Sequence, residues 1–322
     1  MNTIKHTYNI CSSCDANLLK YIEIQIYSMS QVLSEDQINF YLMYNAAKKL
    51  EFAKIQHLCD RLKNVTFFKV PVAENRFWQK IAQHGGKWPA EAYYYILANK
   101  LLPETLDRVL YIDAGDVLIV DDIASCYNAD FQGKSLLAHA ARLKVADNDL
   151  ALYTAEDMGD INLLKDILRG LVNSGSVLLN LEKMRADNMS YADFEYLIDT
   201  LKDVFDADKK DIYWGDQGLL SVAFAGDMAH YDWPEIKNIY YMPYNFCLWF
   251  YDQLHEQPQY KPKIIHFAGA PKPWTMCYPI NTSYQNGLHE MSDLKVGQAE
   301  WYYLWHEYTI KMIDFLKCEK EI

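Results

Sequence analysis

The chain has 322 residues, of which 51% are hydrophobic and 23% charged. That is enough for a large core in one elaborated α/β domain or two modest ones, and it excludes a disordered or fibrous chain. Acidic residues outnumber basic ones, 43 to 31, giving a formal net charge of −12, so the bulk basic footprint of a nucleic-acid or anionic-membrane binder is missing.

Short apolar runs alternate with helical patterns through the first half. Tyr8–Ser13 reads as a strand and Leu18–Val32 as an amphipathic helix. A second strand over Ile38–Met43 precedes a helix around Ala46–Leu62, and Val65–Val70 is a third strand. A helical stretch then runs through Ala90–Leu102 to the strand Arg108–Asp113. Such alternation predicts a sheet with parallel pairing and helices on both faces. Farther on, Ser135–Ala140 and Leu171–Asn180 read as buried strands, and Leu150–Gly170 as a mostly helical excursion. Tyr191–Phe205 and Asp216–Phe224 read as helices. The aromatic stretch Tyr231–Tyr251 reads first as a loop packed on the core, and alternatively as a platform for sugar rings. No repeat or Pro/Ser-rich linker divides the chain, so the expectation is one main domain over residues 1–285 and a helical C-terminal annex over 286–322.

No run approaches the roughly 18 apolar residues of a spanning helix, and the opening MNTIKHTYNI lacks the plan of a signal peptide. The seven cysteines are sparse, and Cys11-Ser-Ser-Cys14 is their only close pair. Without a second pair or a nearby histidine it makes a poor zinc site. Reduced thiols and a cytoplasmic location are expected, with at most peripheral contact at the inner face of a membrane.

Two segments carry chemistry. In Arg-Val-Leu-Tyr-Ile-Asp-Ala-Gly-Asp-Val-Leu-Ile, residues 108–119, an apolar strand runs into Asp113 and Asp116 restarts an apolar run. Carboxylates at the carboxyl end of a strand sit where open α/β sheets place ligands, and they suit a hard divalent cation. The same residues read equally well as a simple turn. In Ile-Ile-His-Phe-Ala-Gly-Ala-Pro-Lys-Pro-Trp, residues 264–274, a strand-end histidine is followed by Gly269 and Lys272 at three-residue steps. A neutral imidazole ligates metals, glycine permits close backbone approach, and lysine offers a point charge to phosphate.

These two segments resemble the family 8 glycosyltransferases, which include bacterial lipopolysaccharide galactosyl- and glucosyltransferases and glycogenin. Asp113–Asp116 is similar to their Asp-x-Asp metal motif, and His266–Trp274 matches their His-x-x-Gly-x-x-Lys-Pro-Trp segment. The resemblance runs in order over roughly residues 8–275. It includes Asn173-Ser-Gly-Ser-Val-Leu-Leu-Asn-Leu, and Asp216-Gln217 in the place of an Asp-Gln-Asp. It implies a GT-A fold, a Rossmann-like mixed sheet flanked by helices, that moves a hexose from a nucleoside diphosphate sugar to an acceptor hydroxyl with retention. By that resemblance Asp113, Asp116 and His266 hold Mn2+ or Mg2+, while Gly269 and Lys272 meet the diphosphate. Ser13 ends the first strand, with Asp15 and Asn17 near the uridine, and Asn173, Asp216 and Gln217 face the donor sugar as the catalytic set. The implied donors are UDP-glucose or UDP-galactose, and the acceptor a saccharide or glycolipid.

The chain departs from the family pattern at three places. Ala114-Gly115 separates the carboxylates, where relatives usually have one residue; either the glycine lets the turn bulge so both acids converge, or Asp116 points away. Gly218 replaces the third member of Asp-Gln-Asp. Tyr95, in Tyr93-Tyr94-Tyr95, stands where many relatives carry an arginine, leaving that donor contact neutral. A non-catalytic sugar-nucleotide-binding or scaffold protein is therefore the alternative reading. A dehydrogenase fails at once, because Cys11–Asn17 has no Gly-x-Gly-x-x-Gly.

The tail from Trp301 to Leu316 is expected to be helical, with Tyr302, Trp305, Ile310, Ile313 and Leu316 as its stripe. Asp314, Glu319 and Glu321 largely offset Lys311, Lys317 and Lys320, so membrane contact is expected to be weak.

Overall fold

Side chains along the central strands point alternately to two faces, and the two sets feed two separate cores. From strand β1 (Thr7–Ser13), Tyr8 and Ile10 join one apolar cluster and Cys11 the other. Strand β2 (Gln37–Asn45) sends Ile38, Phe40 and Leu42 one way and Tyr41 and Met43 the other. Strand β4 (Arg108–Ile112) does the same with Leu110 and Ile112 against Val109 and Tyr111. A period of two with both sets apolar is the mark of a sheet covered on both faces.

The computed structural model describes residues 5–84, 88–140, 172–204, 215–224, 227–231, 236–238, 262–268, 272–275 and 299–318. Helices α1 (Leu19–Val32) and α2 (Ala53–Arg61) link β1, β2 and β3 (Val65–Val72), which pair in parallel. After α3 (Arg76–His84), the Ala90–Leu102 stretch forms a 3-10 turn over Ala90–Leu97 continued by the short α4 (Ala98–Leu101). Strand β4 pairs parallel to β1 on the side away from β2. Strand β5 (Val117–Ile119) and the short α5 (Ala124–Tyr127) follow, then β6 (Leu136–Ala140) and β7 (Val172–Asn180). Helices α6 (Leu181–Ala186), α7 (Tyr191–Val204) and α8 (Gly215–Ala223) precede β8 (Met228–Tyr231). The main sheet has seven strands in the order β3-β2-β1-β4-β7-β6-β8, with β7 antiparallel to both neighbours. A second sheet joins β5, β10 (Ile264–His266) and β9 (Ile236–Asn238) in the order β5-β10-β9.

The predicted helix from Ala46 begins only at Ala53. Asn45 holds the intervening turn, its side-chain oxygen accepting from Ala47 N and its carbonyl from Lys48 N. Asx turns of this kind compete with the first helical turn.

The C-terminal helix, α9 (Ala299–Lys317), packs on α1. Its buried stripe corrects the expectation: Tyr302, Trp305 and Met312 are buried, whereas Ile310 and Ile313 are exposed at 60% and 41%. Steps of three and seven keep the first three residues on one helix face, and Ile310 falls off it. The stripe lies on the chain's own core, which includes Tyr302, Trp305 and Met312. Among the described residues no helix is long and apolar enough to cross a membrane. The 150–170 excursion lies outside the described residues, as does nearly all of Tyr231–Tyr251.

Candidate active site

Strand order reverses where β1 has β2 on one side and β4 on the other, and such a switch point opens a crevice at the carboxyl ends of the strands. Ser13 ends β1 at that edge and Asp113 directly follows β4. The chain then turns through Ala114 and Gly115 into β5, leaving the large sheet for the small one. Antiparallel pairing of β5 with β10 sets His266 opposite Val117, and Phe267 N donates to Asp116 O at 2.8 Å. Pairing register alone therefore delivers His266 beside Asp116. On the other flank Asp113 N donates to Gly175 O at 3.0 Å, tying the turn to β7.

The result is a three-residue cluster. Asp113, Asp116 and His266 offer ligand atoms that all lie within 4.8 Å of one another. His266 Nε2 stands 3.5 Å from Asp113 Oδ2 and 3.9 Å from Asp116 Oδ1. Of the two readings left open for Asp116, the inward one holds: the residue is 8% exposed and faces the histidine.

Hydrogen bonding fixes the histidine's tautomer. Asn173 Oδ1 accepts from Gly175 N at 3.0 Å, which identifies that atom as the amide oxygen. The same oxygen lies 2.9 Å from His266 Nδ1, so Nδ1 carries the proton and donates. Nε2 is left with its lone pair toward the two carboxylates. Burial lowers the imidazole's pKa to about 4, so the ring is a neutral ligand at physiological pH.

Cations and hydroxyls complete the surroundings. Lys272 Nζ donates to Asp116 Oδ2 and, at 2.7 Å, to Phe267 O. Tyr111 OH donates to Asp113 Oδ1 at 2.8 Å and lies 3.5 Å from Ser13 Oγ. Tyr95 stacks on Tyr111 with ring centroids 4.0 Å apart and donates to Asp216 Oδ2 at 2.8 Å. Tyr95, which the resemblance sets against an arginine of many relatives, thus meets Asp216 with a neutral donor. Asp216 sits in the first turn of α8, and burial pushes its carboxyl upward against hydrogen bonds from Ser174 and Tyr95. Gln217 Oε1 accepts from Ser174 N at 3.4 Å. Asp15 accepts from the backbone N–H of Asn17 and Leu18 and from the Asn17 side chain, shaping the entrance to α1. Gly269 lies outside the described residues.

Sequence reasoning missed four contributors: Gln25, whose side chain donates to Asp113 O at 2.8 Å, Tyr111, Asn173's hold on the histidine, and Gly175. Gln25 had a readable signal, since it is a polar residue among the apolar positions of α1. Cys11 and Cys14 are both buried and free, with the Cys14 thiol pushed up to about 12, as suits inert structural thiols.

Burial, followed by the charges of Asp116 and Asp216, pushes the Asp113 carboxyl up to about 8. A cation must displace that proton, so metal affinity should rise with pH through the neutral range. Stability has the matching sign. The raised carboxyl binds more protons folded than unfolded, so it makes the metal-free protein lose stability as pH climbs above the ordinary carboxylate range. Below 6.5 the depressed His266 acts in the opposite direction, since it binds fewer protons folded than unfolded. Calorimetric titration of Mn2+ at pH 6, 7 and 8 reads the first effect. A pH-independent affinity would contradict it.

Solved structures share this fold. The galactosyltransferase LgtC, solved with donor and acceptor sugar analogs, superposes with a TM-score of 0.61 over 93% of this chain and 95% of its own, at 18% identity. Mouse xyloside xylosyltransferase 1 matches with a TM-score of 0.51 over 81% of this chain and 97% of its own, at 15% identity. The architecture is the GT-A fold of glycosyltransferases. A lipopolysaccharide 1,2-glucosyltransferase of Escherichia coli (strain K12) is 27% identical over 278 residues, spanning 83% of this chain and 72% of the relative. The family model of glycosyl transferase family 8 matches residues 9–277, and the chain belongs to that family.

Proposed function

We propose that this protein is a retaining hexosyltransferase that moves glucose or galactose from a UDP-sugar to a saccharide or glycolipid hydroxyl in cell-surface glycan or lipopolysaccharide synthesis. The observation that carries the reading is the convergence of Asp113, Asp116 and His266, with the imidazole held neutral and its lone pair aimed at the acids. The residues fit a divalent cation. Among the described residues, the buried Asp116 Oδ1 has no hydrogen-bond partner, a state that costs about 1–3 kcal/mol or more unless something meets it. Two carboxylates with one imidazole suit Mn2+ better than Mg2+, which takes nitrogen reluctantly. When bound, the cation would neutralise charge on the departing diphosphate.

The chain's own residues do the rest. Lys272 is placed to share its charge with the leaving phosphate once it releases Asp116. Asp216, held by Tyr95 and Ser174, orients sugar hydroxyls. Gln217 lies beside Ser174 and, as a neutral amide, is a weak nucleophile. Same-face attack is therefore favoured, the acceptor proton passing to a departing phosphate oxygen. Ser13, Asp15 and Asn17 line the edge assigned to the uridine.

A screen of UDP-sugars for hydrolysis and transfer, with Mn2+ present and then chelated, tests the reading. Metal-dependent turnover of UDP-glucose or UDP-galactose is expected; UDP binding without turnover of any sugar would make the protein a binder or scaffold.

Lys272→Ala should lower turnover by about 10²–10³-fold. Stability should fall as well, because Lys272 pairs with buried Asp116. The metal-free variant should lose about 1–3 kcal/mol, and Mn2+ should restore most of it. Thermal melts with and without Mn2+ read this directly. A loss that Mn2+ leaves untouched would make the lysine a purely structural residue.

A further inference from the structure

Gln25 lies in the middle of α1 and is 0% exposed. Its carboxamide faces the backbone of the Asp113–Asp116 turn. Nε2 donates to Asp113 O at 2.8 Å and to Val117 O at 3.1 Å, and Gly115 N stands 3.4 Å from Oε1. Two carbonyl acceptors can be met only by the amide nitrogen, so the orientation of the group is settled, and both its donors and its oxygen are in use. The three backbone partners come from the first residue of the turn, its third, and the residue just after it. One side chain therefore measures out the whole turn, as a neighbouring strand would measure out a ladder.

Neighbouring strands hold only the two ends of the turn, through Asp113 N to Gly175 O and Phe267 N to Asp116 O. The chain is leaving one sheet for another, and a buried carbonyl without a donor is costly. Other contacts press the same segment against α1. Gly115 has φ of +80°, and a Cβ there would sit 2.7 Å from Tyr21 Cβ, so the turn lies directly on the helix at a place only glycine fits. Tyr21 stacks on Trp274 with centroids 4.0 Å apart, and Trp305 Nε1 of α9 reaches within 3.5 Å of Gly115 O. With the carbonyls drawn toward α1, the carboxylates of Asp113 and Asp116 are left on the side of His266.

We propose that Gln25 is a positioning residue for the metal carboxylates: its carboxamide fixes the span of the Asp113-Ala-Gly-Asp116 turn, so that both acids meet one cation it does not itself touch. The proposal rests on the metal-site reading above and concerns a residue outside the ligand set.

The test uses the full-length protein stripped of metal, and reads Mn2+ affinity from the electron paramagnetic resonance of free Mn2+ at a temperature where all variants are folded. Gln25→Leu, or Gln25→Met should the former fail to fold, is compared with Leu58→Ala, a buried truncation on α2 that weakens the fold away from the turn. The expected result is at least a tenfold loss of Mn2+ affinity in the Gln25 variant, unchanged UDP binding in the absence of metal, and parental Mn2+ affinity in Leu58→Ala. Parental affinity in the Gln25 variant would overturn the Gln25 role alone. Equal losses in Gln25→Leu and Leu58→Ala would reduce it to general stability. A parent protein that takes up no Mn2+ would overturn the metal reading and the Gln25 role together.

Discussion

Asp116→Asn is expected to abolish Mn2+ uptake and to lower sugar transfer by at least about 10²–10³-fold, while the protein stays folded. Asparagine keeps the shape and the space but offers a neutral oxygen or an N–H to a cation that needs charge. The loss concerns interactions that grow as the diphosphate leaves, so it should fall on turnover more than on UDP-sugar affinity. Stability should move little or rise. Asp116 is a buried carboxylate with one oxygen unpartnered, and removing such a charge relieves desolvation. Its partner Lys272 keeps its bond to Phe267 O and is partly exposed, so the lysine is not stranded. Turnover, Mn2+ binding and a thermal melt on one preparation decide the matter. A variant that transfers sugar normally with metal present would remove Asp116 from the ligand set.

The sequence carried the strands well because their chemistry is local. The apolar runs at Tyr8–Ser13 and Ile38–Met43 each state their own conformation, and the structure extends them by a residue or two at the ends, while the run expected over Leu171–Asn180 is described as a strand over Val172–Asn180. Asp113 and His266 were legible for a related reason: a polar residue ending an apolar strand marks the carboxyl edge of a sheet. The fate of Asp116 was not legible. It depends on the pairing of β5 with β10, between segments nearly 150 positions apart, and on Gln25, which adjoins neither acid in sequence. The stripe of α9 failed for want of a partner surface. Tyr302 and Trp305 turn inward as expected, but periodicity also admits Ile310 and Ile313, and only the position of α1 shows that Met312 takes their place. Asn173 could be placed on a strand, but that it sets the histidine tautomer rests on a hydrogen bond across 93 residues.

Gly175→Ala should disable the metal site by adding a single methyl group. The backbone at Gly175 is ordinary for a strand, so the constraint is space. A Cβ there would lie 2.1 Å from His266 Cε1, 2.3 Å from Nδ1 and 2.7 Å from Nε2, distances at which one partner has to move. Strand β7 is poorly placed to retreat, because Gly175 O accepts from Asp113 N and Gly175 N donates to Asn173 Oδ1. The imidazole is the softer element. Swinging it aside breaks the Nδ1–Asn173 bond that sets its tautomer and withdraws Nε2 from both carboxylates. The expected outcome is a drop of at least about 10²-fold in turnover, loss of most Mn2+ affinity, and a destabilisation of about 1–3 kcal/mol from overpacking. Gly133→Ala supplies the contrast. Its φ is +73° but none of the described residues lies within 4 Å of the added Cβ, so it should cost about 1 kcal/mol of backbone strain and leave Mn2+ binding intact. A crystal structure of Gly175→Ala with His266 unmoved, or full Mn2+ affinity in that variant, would show that the histidine does not depend on the empty space the glycine provides.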